Sequence, residues 1–283
     1  MSNTHKAFGS MKVDQQGNTI KNALTQVTAI EKWLGVCLNS NSLDKIEIKK
    51  LFSSISEKLI IKIKENEVNI VSWICSFESF NMEILFKIED FFINIELSCK
   101  EFSICSFLQE WIYLFYRLKE YIDHDGISIP SFDYTNFDKS GISVTIPIHN
   151  TQKVIFSHLT EIFYLKQIFS MYPECDLEAF RYSWGWIDEG PSNLITWKKD
   201  SILIHDFIID FNPIGYIKWE IEKTEEKECV LTLTHKDIDI FDELNQENAY
   251  FSYKNGWMYF LAKIKDLVEN SSFTIHFINE IID

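Results

Sequence analysis

His205 is the most informative polar residue of this 283-residue chain. It shares a strand face with Leu203, Phe207, Ile209 and Phe211, so its imidazole is expected in the interior. There it could orient a ligand carbonyl or hydroxyl, or shuttle a proton. The competing reading is a core histidine hydrogen-bonded to backbone or to a helix tyrosine such as Tyr253, and it comes first, because a lone histidine without an identifiable partner is weak catalytic evidence. His235 closes a strand and is expected at a rim or turn.

The second chemical resource is aromatic. Trp184, Trp186, Trp197, Trp219 and Trp257 fall in one half of the chain with Phe180, Phe207 and Phe211, more ring surface than a small filled core usually needs. Such rings either wall a cavity for planar or acyl ligands or fill the space themselves. The candidate ligand-binding set is therefore Trp184, Trp186, Trp197, His205, Phe207, Trp219, Tyr253 and Trp257. In the other half Phe52, Trp73, Phe77, Phe86, Trp111 and Phe115 are similarly aromatic but have no aligned histidine, which marks that half as plain scaffold.

Motifs for covalent, metal or nucleotide chemistry are missing from the sequence. There is no Gly-x-Ser-x-Gly, no His-Glu-x-x-His, no Cys-x-x-Cys and no glycine-rich phosphate loop, so no catalytic residue, metal or cofactor is expected. The carboxylate pairs Glu89-Asp90 and Asp188-Glu189 fall at expected turns and read as solvated.

Forty-two aromatic residues against 14 Gly and Pro exclude disordered and low-complexity classes. Net charge is −15, of which −11 lies in residues 151–283. Such a surface would repel a phosphate backbone or an anionic leaflet, so nucleic acid is not an expected partner. Nowhere do about 18 uncharged apolar residues run together, and stable membrane insertion is not expected either. The polar start of the chain and the unpaired cysteine spacing fit a reducing cytoplasm.

Turn residues between His124 and Gly141 mark a linker, and the pieces on either side repeat one another. Ile20–Leu34 lies over Ile155–Phe169 without a gap, placing Leu24-Thr25 on Leu159-Thr160. Trp73 then falls on Phe207, Phe86 on Trp219, Cys99 on His235 and Trp111 on Trp257, one insertion within Asp237 to Asn248 restoring the register. Each half reads as a short strand (Met11–Gln15 or Ser143–His149), two short helices, period-two segments and one long amphipathic helix. A sheet with one apolar face and a single such helix have only each other to cover, so the helix must lie across the concave side. The expected domains are residues 1–126, a linker at 127–140, and 141–283 with a C-terminal extension. The alternating Ser272–Phe277 in that extension could add an edge strand, clasp the other half or mediate self-association, with clasping first.

Strand, two helices, a six-strand meander and a long helix is the order of the helix-grip, START-like (SRPBCC) superfamily, which this chain resembles. The second half is similar to the heat-shock ATPase activator homologue branch, through Leu231-Thr-Leu-Thr-His235, Asn255-Gly256-Trp257 with Phe260, Leu261 and Ile264, and Trp219 before the hairpin. The first half departs at Ser98-Cys99 and Glu110-Trp111. The resemblance implies an α+β fold of two tandem helix-grip (START/Bet v-like) domains, each a curved antiparallel sheet wrapped around a long C-terminal helix. It also implies a hollow that in many relatives takes a lipid, sterol, polyketide or other apolar small molecule, here expected to be of lipid, acyl or aromatic type. Non-catalytic binding of such a molecule, mainly in the second half, is the expected function. The alternatives are a protein-interaction or chaperone-associated module with filled cores, and a cyclase- or hydrolase-like enzyme using His205.

Overall fold

The computed structural model describes residues 4–36, 45–48, 51–52, 58–67, 69–100, 108–124, 126–138, 140–170, 172–186, 193–209, 212–238 and 246–282. The chain divides into two compact units, Met1–Asp133 with Phe273–Asp283, and Tyr134–Ser272.

In the first unit β1 (Thr4–Lys12) leads into α1 (Asn18–Thr25) and α2 (Val27–Leu34). Strands β2 (Ile46–Ile48), β3 (Leu59–Glu67), β4 (Ile70–Ser76), β5 (Asn81–Glu89) and β6 (Phe92–Cys99) follow, and then α3 (Leu108–Asp123). Strict alternation makes the sheet one-faced: Met82, Ile84, Phe86 and Ile88 of β5 and Ile93, Ile95, Leu97 and Cys99 of β6 are buried. Trp111, Leu114, Phe115 and Leu118 of α3 are buried as well. Phe86 meets Phe115 edge-on with ring centroids 6.2 Å apart, and Phe52 meets Trp111 at 5.1 Å.

The opposite side of α3 is also covered. Arg117, 4% exposed, donates from Nε to the Trp33 carbonyl at 2.7 Å, from Nη2 to that of Lys32 at 3.2 Å, and from Nη1 to that of Ile129. Glu120 accepts from the backbone N–H groups of Ser128 and Ile129 at 2.7 and 2.9 Å. The residues after α3 are thus held by charge-assisted bonds although they form no regular element. Helix α2 ends on Gly35 in the left-handed region, φ 72°, where a Cβ would come within 2.3 Å of the Ser131 Cβ.

The second unit repeats the order. It runs β7 (Ile142–Ile148), α4 (Gln152–Thr160), α5 (Ile162–Ile168), β8 (Glu174–Asp176), β9 (Arg181–Ser183), β10 (Leu194–Lys198), β11 (Ile202–Ile209), β12 (Asn212–Glu225), β13 (Glu228–Lys236) and α6 (Gln246–Asn270). Thr151 caps α4, its side chain accepting from the Val154 N–H at 3.4 Å. Five strands form one antiparallel sheet in the order β10-β11-β12-β13-β7, while β8 and β9 form a separate two-stranded pair that touches the main sheet's end through an Arg181–Asn193 bridge. Leu203, His205 and Phe207, Ile217 and Trp219, and Leu231, Leu233 and His235 are its buried face. Trp257, Leu261, Ile264 and Val268 of α6 are buried too.

The α+β fold class and the sheet-and-helix arrangement of each unit are as the sequence implies. Three details differ. The first strand is Thr4–Lys12 rather than Met11–Gln15. In the sequence Phe180, Tyr182, Trp184 and Trp186 alternate with Arg181, Ser183 and Gly185 as a sheet strand would, but the segment is not a strand of the main sheet: only Arg181–Ser183 is extended, and Phe180 sits at φ 54° and is 52% exposed. The last strand, β14 (Ile275–Ile282), is counted with the second domain in the sequence boundaries but belongs to the first unit, where it pairs antiparallel with β1. That is the clasp, and the first sheet runs β14-β1-β6-β5-β4-β3-β2.

A glycine admits the clasp. Gly9 faces Phe277 across the β1–β14 pair, and the Phe277 ring stacks on Phe115 with centroids 5.7 Å apart and planes 3° from parallel. A Cβ at Gly9 would come within 2.5 Å of that ring. Gly9→Val is therefore expected to lower stability by about 1–3 kcal/mol in urea unfolding and to speed amide exchange across 275–282. Phe277→Ala on that background should recover part of the loss, and additive losses would show that the two positions do not meet.

Candidate functional site

The interior of the second unit is a continuous aromatic cluster. Trp184 is its centre, fully buried, with ring centroids 4.6 Å from Phe169, 5.0 Å from Trp186 and His205, 5.4 Å from Phe207, 5.6 Å from Trp257 and 6.4 Å from Trp219. Strands β11 and β12 supply His205, Phe207 and Trp219, helix α6 supplies Trp257, and the segment leaving β9 supplies Trp184 and Trp186. Toward the surface the cluster continues into the half-buried rings of Phe169, Trp186, Tyr253 and Phe260, with Phe260 lying 5.2 Å from Phe169 and 5.6 Å from Trp186.

Of the eight candidate residues, seven are therefore brought together. Trp197 is the exception: it is half-buried, donates from Nε1 to the Leu177 carbonyl at 3.2 Å, and shares no ring contact with the others among the described residues. Phe180, expected on the wall, is exposed instead, and Phe211 lies outside the described residues, as does the pair Asp188-Glu189.

Hydrogen bonds fix His205 as a neutral core residue. Its Nδ1–H donates to the Asp206 carbonyl at 2.7 Å, which leaves Nε2 to accept from the Trp219 indole N–H at 3.3 Å. Burial pulls its pKa down to about 3, with the nearby His235 also disfavouring charge. Both nitrogens are occupied, so the imidazole has neither a free lone pair nor a mobile proton for acid–base work. The tyrosine beside it is Tyr182, at 4.5 Å between ring centroids, and not Tyr253. Tyr182 Oη accepts from Trp184 Nε1 at 3.3 Å and donates to the Leu159 carbonyl at 2.9 Å.

His235 corrects the sequence reading: it is fully buried, not a rim residue. It alternates with Leu231 and Leu233 on β13, a period-two signal already present in the sequence. Its Nε2–H donates to the Ile214 carbonyl at 2.6 Å, and burial lowers its pKa to about 4. Phe207, Trp257 and Tyr253 surround it edge-on at 5.2, 5.6 and 5.8 Å. Among the described residues no group of three His, Cys, Asp or Glu side chains could hold a metal ion, and no helix is long and apolar enough to cross a membrane.

No family model and no curated protein matches the sequence. Solved structures are similar to it in fold. DynU16, from the dynemicin biosynthetic locus, is 12% identical over 93% of this chain and 98% of its own, with a TM-score of 0.37. An HSP90 activator from Plasmodium falciparum is 19% identical over 50% of this chain and 99% of its own, at 0.40. The Aha1 dimer from Colwellia psychrerythraea is 15% identical over 46% and 96%, at 0.36.

Two buried neutral histidines make stability depend on pH. Their folded pKa values lie below the ordinary value of about 6.5, so each contributes stability that is complete above pH 6.5 and is lost as pH falls toward 4 and 3. Within that window each contributes a slope of roughly 1.4 kcal/mol per pH unit. His205→Phe should flatten the decline between pH 6 and 4.5 by about that amount in urea unfolding, whatever it costs at pH 7. An unchanged slope would mean that His205 takes up its proton over the same pH range in the folded and unfolded chains.

Proposed function

We propose that the second unit binds an apolar small molecule of aromatic or acyl type without transforming it. The observation that supports this is the continuity of the ring cluster from the buried Trp184, Phe207 and Trp257 to the half-buried Phe169, Trp186, Tyr253 and Phe260. Those outer rings can part or repack around a planar guest at the cost of contacts with one another, contacts the guest replaces. The locked state of His205 speaks against the acid–base enzyme and in favour of passive binding. Trp184, Trp186, His205, Phe207, Trp219, Tyr253 and Trp257 form the proposed site, with His205 acting only as a scaffold.

A second reading is favoured by a separate surface. Ile162 and Tyr172, the latter 81% exposed, line an open groove of about 500 Å³ with Lys166, Pro173 and Arg181, and Phe163 is 68% exposed nearby in sequence. Exposed rings at this density fit a protein-docking face, the role expected of an interaction module.

Native mass spectrometry of the full chain titrated with 2-methylnaphthalene and with a medium-chain fatty acid separates the two. The binding reading expects a stoichiometric adduct of at least one probe, and Trp186→Ala should weaken it roughly tenfold, the worth of one partly buried ring. Absence of any adduct leaves the docking reading.

A further inference from the structure

Inside the second unit the buried ring nitrogens of the aromatic cluster are paired with two exceptions among the described residues. Trp184, Trp186 and Trp219 each place the indole N–H on an acceptor: Tyr182 Oη, the Phe169 carbonyl and His205 Nε2. By contrast Trp257 Nε1 and His235 Nδ1 are buried with no hydrogen-bond partner among the described residues. The two residues are 3% and 0% exposed, and their rings lie 5.6 Å apart, 80° from parallel. Leaving two such groups unmatched costs about 1–3 kcal/mol each, so an interior that satisfies the other indoles beside them is expected to satisfy these too.

Their chemistry is complementary. His235 uses its Nε2–H on the Ile214 carbonyl, so Nδ1 presents a lone pair, and the depressed pKa keeps it unprotonated at neutral pH. Trp257 presents a donor only. One group that accepts from an N–H and donates to a nitrogen answers both. A carbonyl or ether can only accept, and a carboxylate would be unpaired against the lone pair. A hydroxyl can do both, accepting from one group and donating to the other at ordinary hydrogen-bond lengths of about 3 Å. A water would find two partners here, the lower end of what buried waters make, with aromatic faces on its other sides.

We infer that the apolar molecule bound by the second unit carries a hydroxyl group, which accepts from Trp257 Nε1 and donates to His235 Nδ1. The inference rests on the binding reading above and adds the ligand's polar anchor and its class, a phenol or alcohol. Half-buried Tyr253, 5.8 Å from the His235 ring and stacked on Trp257 at 6.4 Å, flanks the anchor. The first unit provides a contrast. Trp111, which the repeat sets on Trp257, also has a buried indole N–H without a partner among the described residues, but the position set on His235 is Cys99, so the donor has no imidazole opposite it in register.

The test compares 2-naphthol with 2-methylnaphthalene, probes of one shape that differ in the hydroxyl. Binding to the 15N-labelled full chain is followed at the indole N–H resonance of Trp257 and at His235 Nδ1. The expected result is at least about tenfold tighter binding of the naphthol, with both resonances shifting, a discrimination typical of a site built to pair a hydroxyl. His235→Phe should abolish the preference while keeping affinity for 2-methylnaphthalene. Because that change orphans the Ile214 carbonyl and could impair folding, the two resonances in the unsubstituted chain are the deciding readout. Equal affinity for the two probes, or tighter naphthol binding without a shift at either nitrogen, overturns the hydroxyl anchor and leaves the binding reading standing. Binding of neither probe overturns the binding reading and the anchor with it.

Discussion

Each unit depends on one constraint: a one-faced antiparallel sheet has a single long helix to cover it. The sheets are apolar on alternate residues, and the helices α3 and α6 are the long elements whose buried rings meet that face. The consequence is seen in side-chain size. Gaps between a twisted sheet and one rod are too wide for aliphatic side chains alone, and large rings fill them: Phe52, Phe86, Trp111 and Phe115 in one unit, Trp184, Phe207, Trp219 and Trp257 in the other. Ring contacts are concentrated where sheet and helix meet because that is where volume is needed.

Filling space with indoles and imidazoles brings polar atoms into a dry interior, and each must then find a partner. The second unit solves most of this locally. Tyr182 stands between Trp184 and the Leu159 carbonyl, and His205 stands between Trp219 and its own neighbour's carbonyl. These bonds explain why His205 lies on the interior face and yet is poor material for catalysis: the geometry that holds it neutral uses both its nitrogens. His235 lies in the same cluster with one nitrogen used, so the two histidines have different capacities despite similar burial.

Regular elements with strong periodicity were legible in the sequence, and elements made by pairing were not. The face Leu203, His205, Phe207 and the helix rows through Trp111 and Trp257 follow from spacing alone, because burial selects every second or every third and fourth residue. Strand β1 shows only Ala7 and Met11 as buried residues, a period of four, since its ordering comes from β6 and β14 on either side. The alternation from Phe180 to Trp186 imitates a sheet strand, but positive φ at Phe180 and at Gly185 bends the segment so that Trp184 enters the core while Phe180 faces solvent. Hydrogen-bond partners were the least legible feature: that His205 would meet Trp219 rather than Tyr253 depends on register between β11 and β12, which no residue pattern within either strand specifies.

The path of the chain adds a requirement of its own. Strands β1 and β14 pair along eight residues with the entire second unit lying between them in the chain. Until β14 is in place, β1 is an open edge of the first sheet and the face of Phe115 lacks the Phe277 ring. An open edge with adjacent apolar surface is a site for mispairing. Gly9 limits that risk, since a strand with a bare position at its centre offers a partner little to pack against until an aromatic ring fills the gap. A specific pairing of glycine with phenylalanine thus favours β14 over other strands at the β1 edge.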